Sequence, residues 1–96
     1  MYTLIMQREL FWYLTKKSYE NFREEMKDYS DYMTSLGWDN LDEAISFIKQ
    51  EWGLSEKEIQ VFKEFDKNDS IQRIVLKIDG WQFENNEPSS EATKFQ

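Results

Sequence analysis

Four carboxylates, Glu20, Glu24, Asp28 and Asp31, recur at helical spacing within residues 19–36, YENFREEMKDYSDYMTSL. Wound as a helix, Glu20, Glu24 and Asp28 stand at i, i+4 and i+8, which sets successive carboxylates ~6 Å apart along the axis, close to the spacing of phosphates along a strand. Such a row recognises cations; by itself it breaks no bond. Like charges at i, i+4 cost a helix a few tenths of a kcal/mol each, a cost that a purely structural face avoids by interleaving lysines. Arg23 and Lys27 relieve part of that repulsion.

Other chemistry is largely excluded by residue type. The chain has no Cys and no His, so disulfides, thiolate nucleophiles, the usual zinc ligands and the commonest general base are missing together. With 3 glycines it holds no phosphate-binding loop, dinucleotide turn or nucleophile elbow. Acid/base pairs could be drawn from almost any two of its 19 Asp and Glu residues, and without a cleft to raise one pKa their presence carries no weight. The stretch VFKEFDKNDS looks like the entry to a calcium-binding EF-hand, with Asp66, Asn68 and Ser70 in ligand positions. However, Ile71 stands where the sharp turn needs Gly, and Lys77 where a bidentate Glu must sit. The expectation is a non-enzymatic protein with no cofactor and no metal.

The carboxylate row needs a helix to carry it. Tyr19, Phe22, Met26, Tyr29, Met33 and Leu36 fall within a stripe of roughly 100° on a helical wheel, which predicts one central helix over 19–36 with this seam facing the core. Neither Gly nor Pro occurs between Gln7 and Leu36, so residues 8–36 read as mostly helical, with Ser18 a candidate cap for a separate second helix. Residues 2–6, YTLIM, suit either a short strand or the start of a fourth, N-terminal helix. Gly37 is placed to end the seam helix, after which Trp38 can fold back onto it. Asp39 or Asn40 caps a helix over Leu41–Trp52, with Leu41, Ala44, Ile45, Ile48 and Trp52 on one face and Phe47 pointing elsewhere. Phe47 either packs under the first helix or is an exposed contact.

Gly53 closes that helix, and Ser55 with Glu58 gives the S-x-x-E spacing of a capping box for the next. Ile59, Phe62 and Phe65 form its buried face, and it should stop near Asp66. In IQRIVLKIDGWQFEN, Asp79–Gly80 between two β-rich runs predicts a type I′ hairpin with Ile78 facing Trp81 and Leu76 facing Phe83. Ile74, Leu76, Ile78, Trp81 and Phe83 then share one face, and Arg73, Val75, Lys77, Gln82 and Glu84 the other. The fold class expected is α+β: three main helices, or four if the N-terminal segment is helical, followed by a C-terminal antiparallel hairpin that either packs on the helices or recruits a short N-terminal strand, YTLIM, as its third strand. Residues 1–86 form one compact domain and 87–96 a flexible polar tail.

The net charge is −7, and the acidity is concentrated in the middle of the chain. A field of that sign repels phosphate backbones and anionic membranes and steers toward basic protein surfaces. No basic n-region followed by an apolar core opens the chain, and the longest apolar run is Leu10–Leu14, so the expectation is a cytoplasmic protein. Aromatics are abundant at 4 Trp, 5 Tyr and 7 Phe, more than a small core absorbs easily, and surface Tyr or Trp are favoured partner anchors.

Two binding readings follow. By element order alone, three helices and a hairpin resemble a winged helix-turn-helix regulator, but the would-be recognition helix SEKEIQVFKEFD is acidic, which argues against direct DNA binding. The favoured reading is an inhibitor or immunity-type factor that covers a basic surface of a partner, such as the nucleic-acid groove of an enzyme. Its general profile is similar to that of small acidic phage inhibitors, some anti-CRISPR proteins among them, while no motif ties it to one family. The candidate partner-binding residues are Glu20, Glu24, Asp28, Asp31, Phe47 and Trp38, on a monomer or homodimer.

Overall fold

The computed structural model describes residues 1–84 of the 96. The elements in chain order are β1 (Tyr2–Gln7), β2 (Trp12–Thr15), α1 (Phe22–Asp28), β3 (Tyr32–Trp38), α2 (Leu41–Trp52), α3 (Glu56–Lys67), β4 (Arg73–Lys77) and β5 (Gly80–Phe83). The strands form one antiparallel sheet in the order β3-β1-β2-β4-β5. No described helix is long and apolar enough to cross a membrane.

This architecture corrects the expected one. Strands open and close the chain, and the three helices do not precede a lone hairpin. The element order on which the winged-helix likeness rested is therefore not that of the molecule. Residues 8–36 are not mostly helical: the WYLT of the apolar run is β2, only Phe22–Asp28 of the proposed seam helix is α-helix, and Tyr32–Trp38 is an edge strand. Met26 and Met33 of that seam are about half exposed, and Tyr29 alone of the six is buried. Gly37, expected to end a helix, sits inside β3 opposite Thr3. The physical reason is tertiary. Aromatic and β-branched residues satisfy a pleated surface as well as a helical stripe, and pairing with β1 hydrogen-bonds a whole strand where the short acidic helix has little apolar face to bury.

Strand alternation divides the sheet into two faces. On one, Leu4, Met6, Leu14, Ile74 and Trp81 meet Leu41, Ala44 and Ile48 of α2 and Phe62 and Phe65 of α3, forming the main core. Phe62 and Phe65 are fully buried, each stabilising the fold by about 1.5–3 kcal/mol relative to an exposed ring. On the other face lie Ile5, Tyr13, Val75 and Arg73, covered by the segment around α1 through Tyr29. Because β1 is covered on both sides, Thr3 to Gln7 are all buried and the strand shows no polar alternation.

The helices that follow Trp38 are as expected in extent. Asn40 caps α2 through Glu43 N–H, and Ser55 and Glu58 close a reciprocal capping box on α3. Trp52, expected on the buried face of α2, is 52% exposed. The β4–β5 hairpin keeps the expected faces in a different register. Leu76 pairs with Trp81 and Ile74 with Phe83, so Ile78 and Asp79 occupy the turn and Ile78 is 98% exposed. Gly80, at φ +109°, is the first residue of β5. This shift seats Trp81 edge-on against Phe62 at 5.2 Å between ring centroids. The expected tail, 87–96, lies outside the described residues.

Candidate protein-binding surface

The carboxylates singled out by spacing do not form a row. Glu20 precedes α1, whose cap is Asn21, and Asp31 follows it. Asp28 accepts hydrogen bonds from Lys17 Nζ and from the Tyr19 hydroxyl, both at 2.7 Å. Those contacts, led by Lys17, hold its carboxyl below the ordinary carboxylate value, and burial together with the Asp28 contact pushes the Tyr19 hydroxyl up. Asp31 accepts from the Glu9 backbone N–H and so pins the β1–β2 connection. Glu24 lies near the Glu20 N–H at 3.5 Å. Three of the four carboxylates, Asp28, Asp31 and, at the longest distance, Glu24, thus accept hydrogen bonds within the fold.

The same side of the sheet holds a second engaged group. The Arg73 guanidinium forks onto Glu84, with Nε at 2.7 Å, and donates to the Tyr29 hydroxyl at 3.1 Å, lying over the Tyr13 ring at 4.3 Å. The Glu84 bond, ahead of Tyr29, raises its pKa despite partial burial. Glu25 is 6% exposed, and its Oε1 has no hydrogen-bond partner among the described residues.

Trp38 and Phe47 are brought together, on the opposite side. β3 delivers Trp38 opposite Tyr2, and the middle of α2 delivers Phe47, with ring centroids 5.5 Å apart. Phe47 in turn meets Trp52 at 6.1 Å, and Trp52 meets Trp12 of β2 at 5.5 Å, edge to face. Four rings therefore run in unbroken contact along α2. At one end, Trp38 and Phe47 line an open groove with Asp42, Glu43, Ser46 and Gln50, and among the described residues no Lys or Arg lines it. Beside it, Tyr2, Asp39, Asp42 and Asp66 line a second concavity. There the Tyr2 hydroxyl donates to Asp66, and burial together with that carboxylate pushes its pKa up to about 12.

At the other end, Leu10, Phe11, Trp12, Trp52, Leu76 and Ile78, together with Glu9 and Lys77, line an open pocket of about 340 Å³. Leu10, Phe11, Trp52 and Ile78 are each more than half exposed, so this is a contiguous apolar surface and not scattered single residues. Spacing alone could not assemble it, since its members come from two turns and a helix end. Its one sequence signal was the run LFWYL, the longest apolar stretch of the chain. Compared with known proteins, the chain matches no family model, no curated protein and no solved structure.

Proposed function

We propose that this chain is a small acidic protein-binding module that occupies a basic surface of a partner protein. The observation that carries this reading is the aromatic line Trp38–Phe47–Trp52–Trp12, in which Trp52 is exposed and the other three rings are half-buried, bordered at its Trp38 end by Asp39, Asp42 and Glu43 with no cation among the described residues lining the groove. Aromatic side chains supply large contact area at low entropic cost, and carboxylates around them steer a basic partner into register. Where that partner is a nucleic-acid enzyme, occupation of its groove makes the module an inhibitor or immunity-type factor that acts by coverage and not by chemistry.

Of the residues first singled out, Trp38 and Phe47 belong to this surface; Glu20 and Glu24 supply long-range field from the other side of the sheet. Capture from host lysate with three proteins separates these roles: wild type, Asp42→Lys/Glu43→Lys, and Glu20→Gln/Glu24→Gln. The expected result is a basic protein held at low salt, released by a few hundred millimolar salt, lost by the first variant and kept by the second. Capture unaffected by Asp42→Lys/Glu43→Lys, with the fold intact by circular dichroism, would overturn the assignment.

A further inference from the structure

Among the described residues the sheet has two edges, β3 and β5, and they differ. β5 is 4 residues long, and its Trp81 N–H donates to Glu58 Oε2 at 3.0 Å. β3 is 7 residues long, YMTSLGW, with no charged residue and no proline, and Met33, Thr34, Leu36 and Gly37 are exposed. Its one irregularity lies at its start, opposite Met6 and Gln7, so Thr34–Trp38 runs in regular register with β1. Natural edge strands are guarded by charge, proline, bulges or brevity. From Thr34 to Trp38, β3 has none of these guards. Alternate residues of such a strand turn both N–H and C=O outward, a template for one further strand.

Charge chooses the occupant. Asp31 stands just before β3; Asp39 stands just after it, with Asp42 and Glu43 beside the Trp38 end. The edge is thus an uncharged centre with carboxylates at both ends. A second copy fits it poorly. Antiparallel pairing about Ser35, the middle of β3, would set Asp31 of each copy against Asp39 of the other, between chains that each carry −7.

Resting on the proposed function, we infer that β3 accepts, as a sixth strand, an extended segment of the basic partner whose uncharged β-branched centre is flanked by lysine or arginine at both ends. Its main chain pairs with β3, its apolar side chains on the helix side meet Leu36 and Trp38, and its cations reach Asp31, whose Oδ2 also holds the Glu9 N–H, at one end and Asp39, Asp42 and Glu43 at the other.

The test uses the full chain and a capped synthetic peptide with a valine-threonine centre and a lysine pair at each end. Two controls accompany it: the same peptide N-methylated at alternate residues, and one with glutamates for lysines. Binding is followed by calorimetry, and amide exchange is read residue by residue. The expected result is binding by the first peptide with new protection at alternate amides of β3, weakened about tenfold or more by N-methylation and abolished in the glutamate peptide. Equal binding by the N-methylated peptide overturns strand pairing and leaves the basic-partner reading standing. Equal binding by the glutamate peptide overturns both. No binding by the lysine peptide, or a concentration-dependent dimer of the free protein with β3 amides protected, overturns the inference and assigns the edge no such occupant.

Discussion

Substitution of Gly80 by Ala tests the join between α3 and the β4–β5 hairpin. Gly80 has φ +109°, and a Cβ there would lie 2.7 Å from Glu58 Oε2 and 3.0 Å from its carboxyl carbon. That same Oε2 accepts the Trp81 N–H, while Oε1 accepts the Ser55 N–H in the capping box. The backbone penalty for an L-residue at positive φ is about 1–2 kcal/mol. Displacement of the carboxylate adds about 1.5–3 kcal/mol for a charge-assisted hydrogen bond to a half-buried amide. Gly80→Ala is therefore expected to cost roughly 2.5–5 kcal/mol, summing these two contributions. Urea unfolding followed by tryptophan fluorescence measures it, since Trp81 is buried against Phe62. A Glu58→Ala background isolates the contact. There Gly80→Ala should retain only the backbone penalty, giving a coupling of about 1.5–3 kcal/mol. Gly53→Ala serves as the comparison: its φ is +80° and nothing lies within 4 Å of its added Cβ, so its cost should not change with Glu58. A Gly80→Ala cost that is the same in both backgrounds to within about 0.5 kcal/mol would refute the reasoning.

Further predictions follow from the same contacts. Phe62→Ala should cost about 3–5 kcal/mol and Met26→Ala under ~1 kcal/mol in the same assay, because Phe62 is fully buried whereas Met26 is half exposed. Glu25→Met should raise stability by about 1 kcal/mol or more, since it removes a buried carboxylate oxygen that has no partner among the described residues. Burial opposes ionisation of Glu58, but the Ser55 and Trp81 N–H groups outweigh it and leave its pKa below the ordinary value. Its contribution to stability is thus complete above the unfolded carboxylate pKa and is lost as pH falls through the lower native one, so Glu58→Gln should flatten the acid limb of the stability curve. At the alkaline end, Tyr2 should ionise near pH 12 in the folded protein, and the stability tied to its neutral form should fall as pH rises from about 10 toward that value; tyrosinate absorbance with and without Tyr2→Phe checks this.

What could be read from the chain itself was whatever had local punctuation. Asn40, Gly53, Ser55 and Glu58 bracket α2 and α3, and their apolar periodicity is helical over full turns, so extent and most of the buried face were legible. The faces of the β4–β5 hairpin were legible from alternation. Its register was not, because Asp79–Gly80 suits two turns, and the choice between them is made by Trp81 packing on Phe62, some twenty residues away. Residues 8–36 misled because nothing interrupts them and their apolar spacing fits a heptad by residue type alone. β1 and β2 also lie between two covering layers, which erases the polar alternation that marks a strand. Trp38 and Phe47 were visible as surplus aromatics, but their continuation through Trp52 to Trp12, Phe11 and Ile78 exists only once the sheet and α2 are assembled.

The strand order also fixes when the molecule can fold. β1 with β2 and β4 with β5 are local pairs, but the middle of the sheet is the seam of β2 with β4, which joins residues 12–15 to residues 73–76. Closing that seam brings together the two ends of the described chain, and the entropy of the loop is lost before any core contact across it repays the loss. Leu14 and Ile74 face each other across it and are both fully buried, so neither half of the sheet has a finished core alone. During synthesis, therefore, the N-terminal strands and the α2–α3 pair wait, incompletely packed, until β4 and β5 have left the ribosome. The aromatic line on α2 is displayed in its final form only on the completed chain, and a truncated product lacking residues 73–83 should present neither the sheet edge nor the groove beside it.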